Sequence, residues 1–563
     1  MSPDPVPVLH VDEIDGVRAV WVDAPGPLRA GLSLRVGVAD ETLPQRGITH
    51  LLEHLALFGI GRPGDHSNGQ VNASLAMFMT VGDDQVVPFF DQVTRQFHDL
   101  PLARLDDERR VMQAEGARRG SAMADDLLVW RYGAQDYGLL AFDEFGLRSI
   151  DGDALAAWAA RYATRQNAVL WLSGPPPAGL RLHLPDGQAH PAPDLTRSIL
   201  PRFPAWLRGP DDGAVLQAVV ERGWAIPALA HILRTRLVDE LRVRRAVAYS
   251  PNVDYSPVTG THGWLMVGTD AVAGRQTEAI RPFLNALRQL GDPDDEHAVT
   301  EADLVHWHET RARDESEPGA ALGIAVAAAW ELVHGKQPDS AEDRQHQAGA
   351  ITVEGVAAAA RQAFGSVLAQ VPSRLGPAGD PWTEAPACLA EPLSGNEFPA
   401  TQADHDEVLV LAPAGLTLRQ GERRATVPVA STAAVLTWED GRRTLIGADA
   451  TRITVEPNLI RDGDRLSRLV DEQWPAALRI DLGSRPSGEI PKPAAPQQDR
   501  AGRAAAANRS ARNGQLLMGL GLAVALLIVL LVIAGIHVPF GPVIGGFLAA
   551  SLGFAIRQHR RGQ

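Results

Sequence analysis

The chain has 563 residues, of which 45% are apolar and 21% are charged. These proportions are ordinary for globular domains and exclude a mainly disordered, collagenous or disulfide-scaffolded protein. The net charge of −15 gives nucleic-acid binding little electrostatic support. The single cysteine, Cys388, cannot form an internal disulfide, which favours a reducing compartment.

The first third of the chain has the pattern of an α+β unit. Apolar and polar residues alternate in VRAVWV and LSLRVGV, which predicts strands within residues 1–40. The pattern then predicts a helix over 44–60, a strand over 71–81 and two helices over 87–120. A helix, ALAAWAARYA, and an apolar strand, AVLWLSG, complete the unit.

A stretch rich in Pro and Gly, residues 175–210, precedes a second α+β unit of similar size and element order. Residues 406–483 then carry many short strands, separated by turn residues and followed by one helix. That pattern resembles a pleckstrin-homology-like barrel. The predicted fold is therefore α+β, with domains at 1–180, 205–375 and 403–485, and a flexible linker at 486–513.

The C-terminal segment is strongly apolar. Leu516 to Val538 contains no Asp, Glu, Lys or Arg over 23 residues, which is enough to cross a hydrocarbon core of about 30 Å. A second apolar run, Pro539 to Ile556, follows after a turn-forming Pro and Gly sequence. We expect a transmembrane hairpin over 516–556; a single span ending at Val538 is the alternative.

Arginines flank this hairpin on both sides, and the connection between the spans carries only His537 as a possible charge. The positive-inside rule places both flanks, and the large N-terminal part, in the cytoplasm of a cell whose membrane the protein crosses twice. The flanking residues are Arg500, Arg503, Arg509, Arg512, Arg557, Arg560 and Arg561.

The sequence GITHLLEHLALFG carries the most specific chemical signal. His50 and His54 are four residues apart, so both imidazoles lie on one face of the predicted helix, beside Glu53. Burying these polar groups on an apolar helix costs several kcal/mol unless they have partners. Two neutral imidazoles and a carboxylate suit zinc, and the H-x-x-E-H order is the inverzincin motif. A histidine pair satisfied by ordinary hydrogen bonds is the alternative.

A second helix, ARLDDERRVMQAEG, offers further carboxylates. Glu108 and Glu115 are seven residues apart and share one helix face. One can bind a metal while the other orients a histidine. Taken alone, the segment favours a charged, solvated helix, since other charged residues surround the pair: Asp106, Asp107, Arg109 and Arg110.

Together the two helices resemble those of the insulinase, pitrilysin and mitochondrial processing peptidase family of zinc metallopeptidases. The resemblance covers roughly residues 5–372. It implies that His50, His54 and Glu115 bind zinc, that Glu53 is the general base, and that Glu108 is a carboxylate behind the ligands.

The resemblance extends to substrate-binding residues. VNASLAMFMTVGDD is similar to the family's edge strand, and Asn72 and Ala73 match positions that hold the substrate backbone. In LRVRRAVAYSPNVDY, Arg242 and Tyr249 have the spacing of a pair that binds substrate and stabilises the tetrahedral intermediate. The chain departs from the family at Ala246, where relatives often have Gly, in the loop around Asn68, and in a shortened segment between the two helices.

Two functions follow from the resemblance. The first is a membrane-tethered zinc endopeptidase that cleaves extended or unfolded peptides. The second is a non-catalytic peptidase-fold subunit or scaffold; such members typically lose residues that this chain keeps. Family chambers contain four α+β units and this chain supplies two, so we expect a homodimer, or a heterodimer with a related subunit. Arg242 and Tyr249 would then act on the partner's metal centre.

Overall fold

The computed structural model describes residues 8–60, 67–116, 123–210, 212–317, 319–375, 380–402 and 406–492. The predicted transmembrane hairpin, 516–556, lies outside these residues, as does the predicted linker beyond Lys492. Within the described part of the chain, no helix is both long and apolar enough to cross a membrane.

The first unit is built on a six-stranded sheet, sheet 1. Its strands are β1 His10–Ile14, β2 Val17–Trp21, β3 Arg29–Leu34, β4 Asn68–Val71, β5 Ala76–Val81 and β6 Ala168–Leu172. They lie in the order β1-β2-β6-β3-β5-β4, so β4 is an edge strand. β2 and β6 are parallel, and the other neighbours are antiparallel.

Five helices belong to this unit: α1 Ile48–Leu57, α2 Val86–Gln96, α3 Leu105–Gly116, α4 Met123–Tyr132 and α5 Gly152–Tyr162. Side chains from α1, α2 and α5 share one buried cluster with those of sheet 1, including Leu51, Leu55, Phe90 and Leu155. α1 also contacts α3 and β4. This packing fixes the helix that carries the His50 motif between the edge of the sheet and α3.

The second unit repeats this plan on sheet 2. Its strands are β7 Ala205–Gly209, β8 Gly213–Glu221, β9 Asn252–Pro257, β10 His262–Asp270, β11 Leu368–Pro372 and β12 Thr383–Glu384, in the order β12-β7-β11-β8-β10-β9. Its helices are α6 Ala225–Leu237, α7 Gln276–Gly291, α8 Glu301–Glu315, α9 Ala320–Val333, α10 Ala341–Gly349 and α11 Val353–Gly365. The central parallel pair, β7 and β11, corresponds to β2 and β6.

Each unit contributes one helix that packs on the sheet of the other unit. α4, from the first unit, packs on β8 and β11 of sheet 2, while α9, from the second, packs on β2, β3 and β6 of sheet 1. Arg131 of α4 is buried and donates hydrogen bonds to the Gln217 side chain (2.8 Å) and the Ser366 carbonyl (2.7 Å). The two predicted units are therefore joined through shared hydrophobic layers.

A strand-rich domain, residues 396–481, follows. Its strands are β13 Asn396–Pro399, β14 Val408–Ala412, β15 Gly415–Gln420, β16 Arg423–Pro428, β17 Thr432–Thr437, β18 Arg443–Gly447, β19 Arg452–Val455 and β20 Arg479–Asp481. They form two four-stranded sheets, β13-β14-β15-β16 and β19-β18-β17-β20. Helix α12, Gly463–Gln473, closes a core that contains Leu409, Leu445, Val470 and Trp474.

Two local predictions differ from the structure. The single strand predicted over 71–81 is interrupted, because β4 ends at Val71 and β5 begins at Ala76. Asn72 Oδ1 accepts hydrogen bonds from the backbone N–H groups of Ser74 (3.0 Å) and Leu75 (2.8 Å), which closes a turn. In the second unit, the run ALAHILRTRLVDELRVRRA predicts one long helix. The structure is α-helical only to Leu237 and continues as a π-helical segment over Val238–Arg244.

Candidate metal centre

A buried carboxylate anchors the start of α1. The helix follows Gly47, whose φ of +105° favours glycine, and begins without a capping side chain at that residue. Glu41 replaces the cap: it accepts hydrogen bonds from the N–H groups of Gly47 (2.9 Å) and Thr49 (3.0 Å) and pairs with Arg46 (3.2 Å). Burial raises the pKa of the Glu41 carboxyl. These bonds fix the orientation of the helix that carries His50.

His50, Glu53 and His54 come together on α1. The two imidazole centroids are 4.8 Å apart, and Glu53 Oε2 lies 3.7 Å from His50 Nε2 and 4.0 Å from His54 Nε2. Potential ligand atoms of the three residues lie within 4.8 Å of one another, as in a site able to hold a metal ion. Burial raises the pKa of the Glu53 carboxyl above its ordinary value, while the two neighbouring imidazoles oppose that rise.

Glu115 approaches the same point from α3. Its Oε2 lies 3.8 Å from His50 Nε2 and 3.6 Å from His54 Nε2. Zinc ligands at about 2.0–2.2 Å from the ion are separated from one another by about 3.5 Å in a tetrahedral site. The described donor set therefore fits zinc without large rearrangement. By distance alone either Glu53 or Glu115 could bind the ion; Glu53 is the more enclosed, with 9% of its side chain exposed against 46% for Glu115.

The far nitrogens of both imidazoles are engaged by carboxylates. His54 Nδ1 donates to Glu108 Oε2 at 3.2 Å, and His50 Nδ1 donates to Glu144 Oε1 at 2.9 Å. A donor role for Nδ1 leaves Nε2 unprotonated in the neutral ring, which is the form that binds metals. The position of Glu108 agrees with the role that the resemblance implies, whereas Glu144 was not expected from the sequence.

The structure separates the expected substrate-binding residues from the edge strand. Asn72 and Ala73 lie in the turn after β4, and their carbonyls accept hydrogen bonds from the N–H groups of Val38 (3.0 Å) and Ala39 (2.9 Å). These carbonyls are already paired within the chain, so the available sheet edge is β4, Asn68–Val71. A Cβ on Gly69 of β4 would lie 1.9 Å from Glu53 Oε1, which places this strand directly against the Glu53 carboxylate.

Arg242 and Tyr249 lie together in the second unit. The Arg242 guanidinium is 5.0 Å from the centroid of the Tyr249 ring, and the Tyr249 N–H donates to Asp270 (3.0 Å). Ala246, between them, has a left-handed φ of +51°, a conformation that glycine adopts most easily. This explains why the family that the sequence resembles often has glycine at this position. Arg242 belongs to the π-helical segment, a distortion that often occurs at functional sites.

Comparisons with solved structures identify the architecture. A Pseudomonas fluorescens peptidase M16 inactive domain is 16% identical, with a TM-score of 0.54 over 65% of this chain and 98% of that chain. A protease from Helicobacter pylori is also 16% identical, with a TM-score of 0.53 over 65% of this chain and 100% of that chain.

The first half of the periplasmic protease PqqL from Escherichia coli is 13% identical, with a TM-score of 0.52 over 65% of this chain and 92% of that chain. The chain has an M16-peptidase-like fold. No family model matches its sequence, and no curated protein does. The fold expected from the resemblance is thus confirmed. Activity is a separate question, because the Pseudomonas domain with the same fold is an inactive one.

Proposed function

We propose that this protein is a zinc-dependent endopeptidase. The observation that carries the proposal is the convergence of His50 Nε2, His54 Nε2 and Glu115 Oε2, with separations of 3.6 and 3.8 Å from the carboxylate to the two nitrogens. Carboxylates behind both imidazoles support the same assignment, since zinc-binding histidines usually donate their other N–H to such a partner.

Each residue has a distinct role in this proposal. His50, His54 and Glu115 would hold the ion, which would supply Lewis acidity toward a peptide carbonyl and a water molecule. Glu53 accepts the proton of the attacking water and passes it to the leaving amine. Its enclosed position against β4 places the carboxylate beside the candidate metal site, and burial raises its pKa above the ordinary value, which makes it a better proton acceptor.

The proposed substrate is an extended peptide that adds to sheet 1 beside β4. An edge strand offers backbone groups that pair with a peptide largely regardless of its sequence. The Glu53 carboxylate packs against Gly69 of this strand, so a peptide on the edge would pass close to the metal centre. Cleavage should therefore tolerate many sequences but require an unfolded segment; efficient cleavage within a strand of a stably folded domain would contradict this.

Metal analysis of the purified full-length chain, with parallel cleavage of an unstructured peptide library, tests the catalytic proposal. We expect about one zinc ion per chain, lost in the His50→Ala/His54→Ala variant and weakened in Glu115→Gln. Glu53→Gln should keep zinc and lose hydrolysis. His98→Ala, an exposed histidine, is the matched control. Stoichiometric zinc in the double variant would refute the site, and zinc without any cleavage in the wild type would favour a non-catalytic subunit.

We also propose that two chains pair, so that Arg242 and Tyr249 serve the partner's metal centre. Tyr249 is 71% exposed and Val243, beside Arg242, is 68% exposed. Exposed apolar side chains next to a tyrosine and an arginine are typical of an interaction site. A homodimer with two-fold symmetry is the simplest arrangement, and a heterodimer with a related subunit is the other.

Complementation tests the pairing. A Glu53→Gln chain and a Tyr249→Phe chain should each be nearly inactive alone. Mixed dimers would contain one complete site and regain a fraction of wild-type activity if Tyr249 acts on the partner. Co-purification of differently tagged chains shows whether mixed dimers form. Mixed dimers without recovered activity would refute the action of Tyr249 in trans.

The proposed location is the cell membrane, with both ends of the hairpin over 516–556 in the cytoplasm. The seven flanking arginines support this topology. A reporter fused after Gln563 should be cytoplasmic. An external reporter would support a single span or the opposite orientation.

A further inference from the structure

Glu144 lies between the metal centre and a part of the protein outside the two peptidase-like units. Its carboxylate accepts from His50 Nδ1 at 2.9 Å and lies 3.5 Å from Arg46. Only 7% of its side chain is exposed. Because a histidine ring is oriented by the partner of its far nitrogen, the position of Glu144 sets the direction of His50 Nε2.

The segment that carries Glu144 has little regular structure of its own. It runs from Gly133 to Arg148 and contains two short 3₁₀ turns, Asp136–Ala141 and Phe145–Arg148. On the metal side it is held by Arg46, whose Nε donates to the Leu139 carbonyl (3.0 Å) and whose carbonyl accepts from the Gly146 N–H (3.1 Å). A segment without a helix or sheet ladder depends on such external contacts for its position.

The opposite side of the segment packs on the strand-rich domain. Leu139 and Phe142 share a buried cluster with four side chains of its second sheet: Ala434, Leu436, Ile446 and Ile480.

Polar and backbone contacts extend this interface. The Ala134 N–H donates to the Ala448 carbonyl (2.9 Å), and Arg148 donates to the Leu482 carbonyl (3.2 Å). The Arg452 guanidinium lies over the Phe142 ring at 5.1 Å. The domain thus contacts the segment on both sides of Glu144.

We propose that the strand-rich domain positions Glu144 and thereby sets the affinity of the metal centre. Glu144 is a positioning residue for His50, and the second sheet of the domain is the support that holds it. A partner that binds the domain and weakens its contacts with the segment would lower the zinc affinity. Binding at the surface of the domain would in this way change the active site. This inference rests on the proposed zinc role of His50.

Neighbouring strands β17 and β18 provide a matched pair of leucines for the test. Side chains of β17 alternate between two faces, so Leu436 lies in the cluster that includes Leu139 and Phe142 of the segment. Leu445 of β18 lies instead in the domain's own core. Leu436→Ala therefore removes part of the interface. Leu445→Ala makes the same chemical change inside the same domain without touching the segment.

The measurement is zinc affinity of the full-length protein by chelator competition, with the cobalt absorption spectrum as a report on ligand geometry and thermal unfolding as a measure of stability. Loss of a residue behind a metal ligand typically lowers affinity 10–100-fold. We expect Glu144→Gln to lower the zinc affinity by that amount. Leu436→Ala should lower the zinc affinity about tenfold and shift the cobalt spectrum. Leu445→Ala should lower the unfolding temperature and leave affinity unchanged.

The double variant Leu436→Ala/Glu144→Gln separates positioning from general stabilisation. If the domain acts through Glu144, Leu436→Ala should add little to the loss of zinc affinity that Glu144→Gln causes alone, because residues that act as one unit are not additive. Additive losses, or wild-type affinity in either single variant, would overturn the proposal. Zinc retained by His50→Ala/His54→Ala would instead refute the zinc site itself, so the two failures are distinguishable.

Discussion

Gly69→Ala gives a direct test of where Glu53 must sit for catalysis. An added Cβ would lie 1.9 Å from Glu53 Oε1 and 2.6 Å from Glu53 Cδ, whereas ordinary contact begins at 3.4 Å. The carboxylate oxygen therefore has to move by about 1.5 Å, the difference between 1.9 and 3.4 Å. A misplacement of about 1 Å can cost about 100-fold in rate, or about 2.7 kcal/mol of activation free energy.

The fold should tolerate this substitution. Gly69 lies in a regular strand, and the three atoms that must move, Cγ, Cδ and Oε1, all belong to the single side chain of Glu53. The free energy of unfolding should therefore change by less than about 1 kcal/mol. We expect kcat/KM on a quenched fluorescent peptide to fall about 100-fold. Zinc content and unfolding temperature should stay near wild type.

Gln70→Ala is the control, since Gln70 is the next residue of β4 and its side chain is exposed. It should keep full activity. Full activity in Gly69→Ala would refute the reasoning, because it would mean that the described position of the Glu53 carboxylate is not the one used in catalysis. A large fall in unfolding temperature would refute the claim that the site alone is affected.

Three further outcomes are expected. Ala246→Gly should raise the free energy of unfolding by about 1 kcal/mol in chemical denaturation, because it relieves a left-handed alanine; a destabilised variant would contradict the strain. Burial lowers the pKa of His334 from 6.5 to about 4, so the unfolded chain binds its proton first as the pH falls. Stability should drop between pH 6.5 and 4 by about 3 kcal/mol, and His334→Gln should flatten that part of the pH profile measured by thermal unfolding. Arg46→Met removes the cation between Glu41 and Glu144, so it should destabilise the protein and also loosen Glu144. We therefore expect weaker zinc binding in the chelator assay. Unchanged zinc affinity would show that Arg46 only stabilises the fold.

Helical spacing predicts which residues of the candidate metal centre share a helix face. His50 and His54 share a face because they are four residues apart, and Glu108 and Glu115 share one because they are seven apart. The structure brings all four together with Glu53. Periodicity works here because each pair lies within a single regular element.

The remaining site residues depend on contacts between distant elements. Glu144 is 94 residues from His50 and lies in an irregular segment, so no spacing rule points to it. The turn after β4 was predictable in principle, since Asn72 and Ser74 directly before the apolar run that begins at Leu75 are a turn signal. The resemblance implies that Asn72 and Ala73 hold the substrate, and the structure places both in the turn that follows the edge strand Asn68–Val71.

The packing of α4 on sheet 2 and of α9 on sheet 1 determines which fragments of the chain can be stable by themselves. The outer face of sheet 1, with Val20, Val169 and Trp171, is covered by Leu332 and its neighbours on α9. A fragment ending near residue 180 would lack that cover and would aggregate through its bare sheet. A protease nick between the units should, in contrast, leave two pieces that hold together and melt as one, because each piece completes the other's hydrophobic layer.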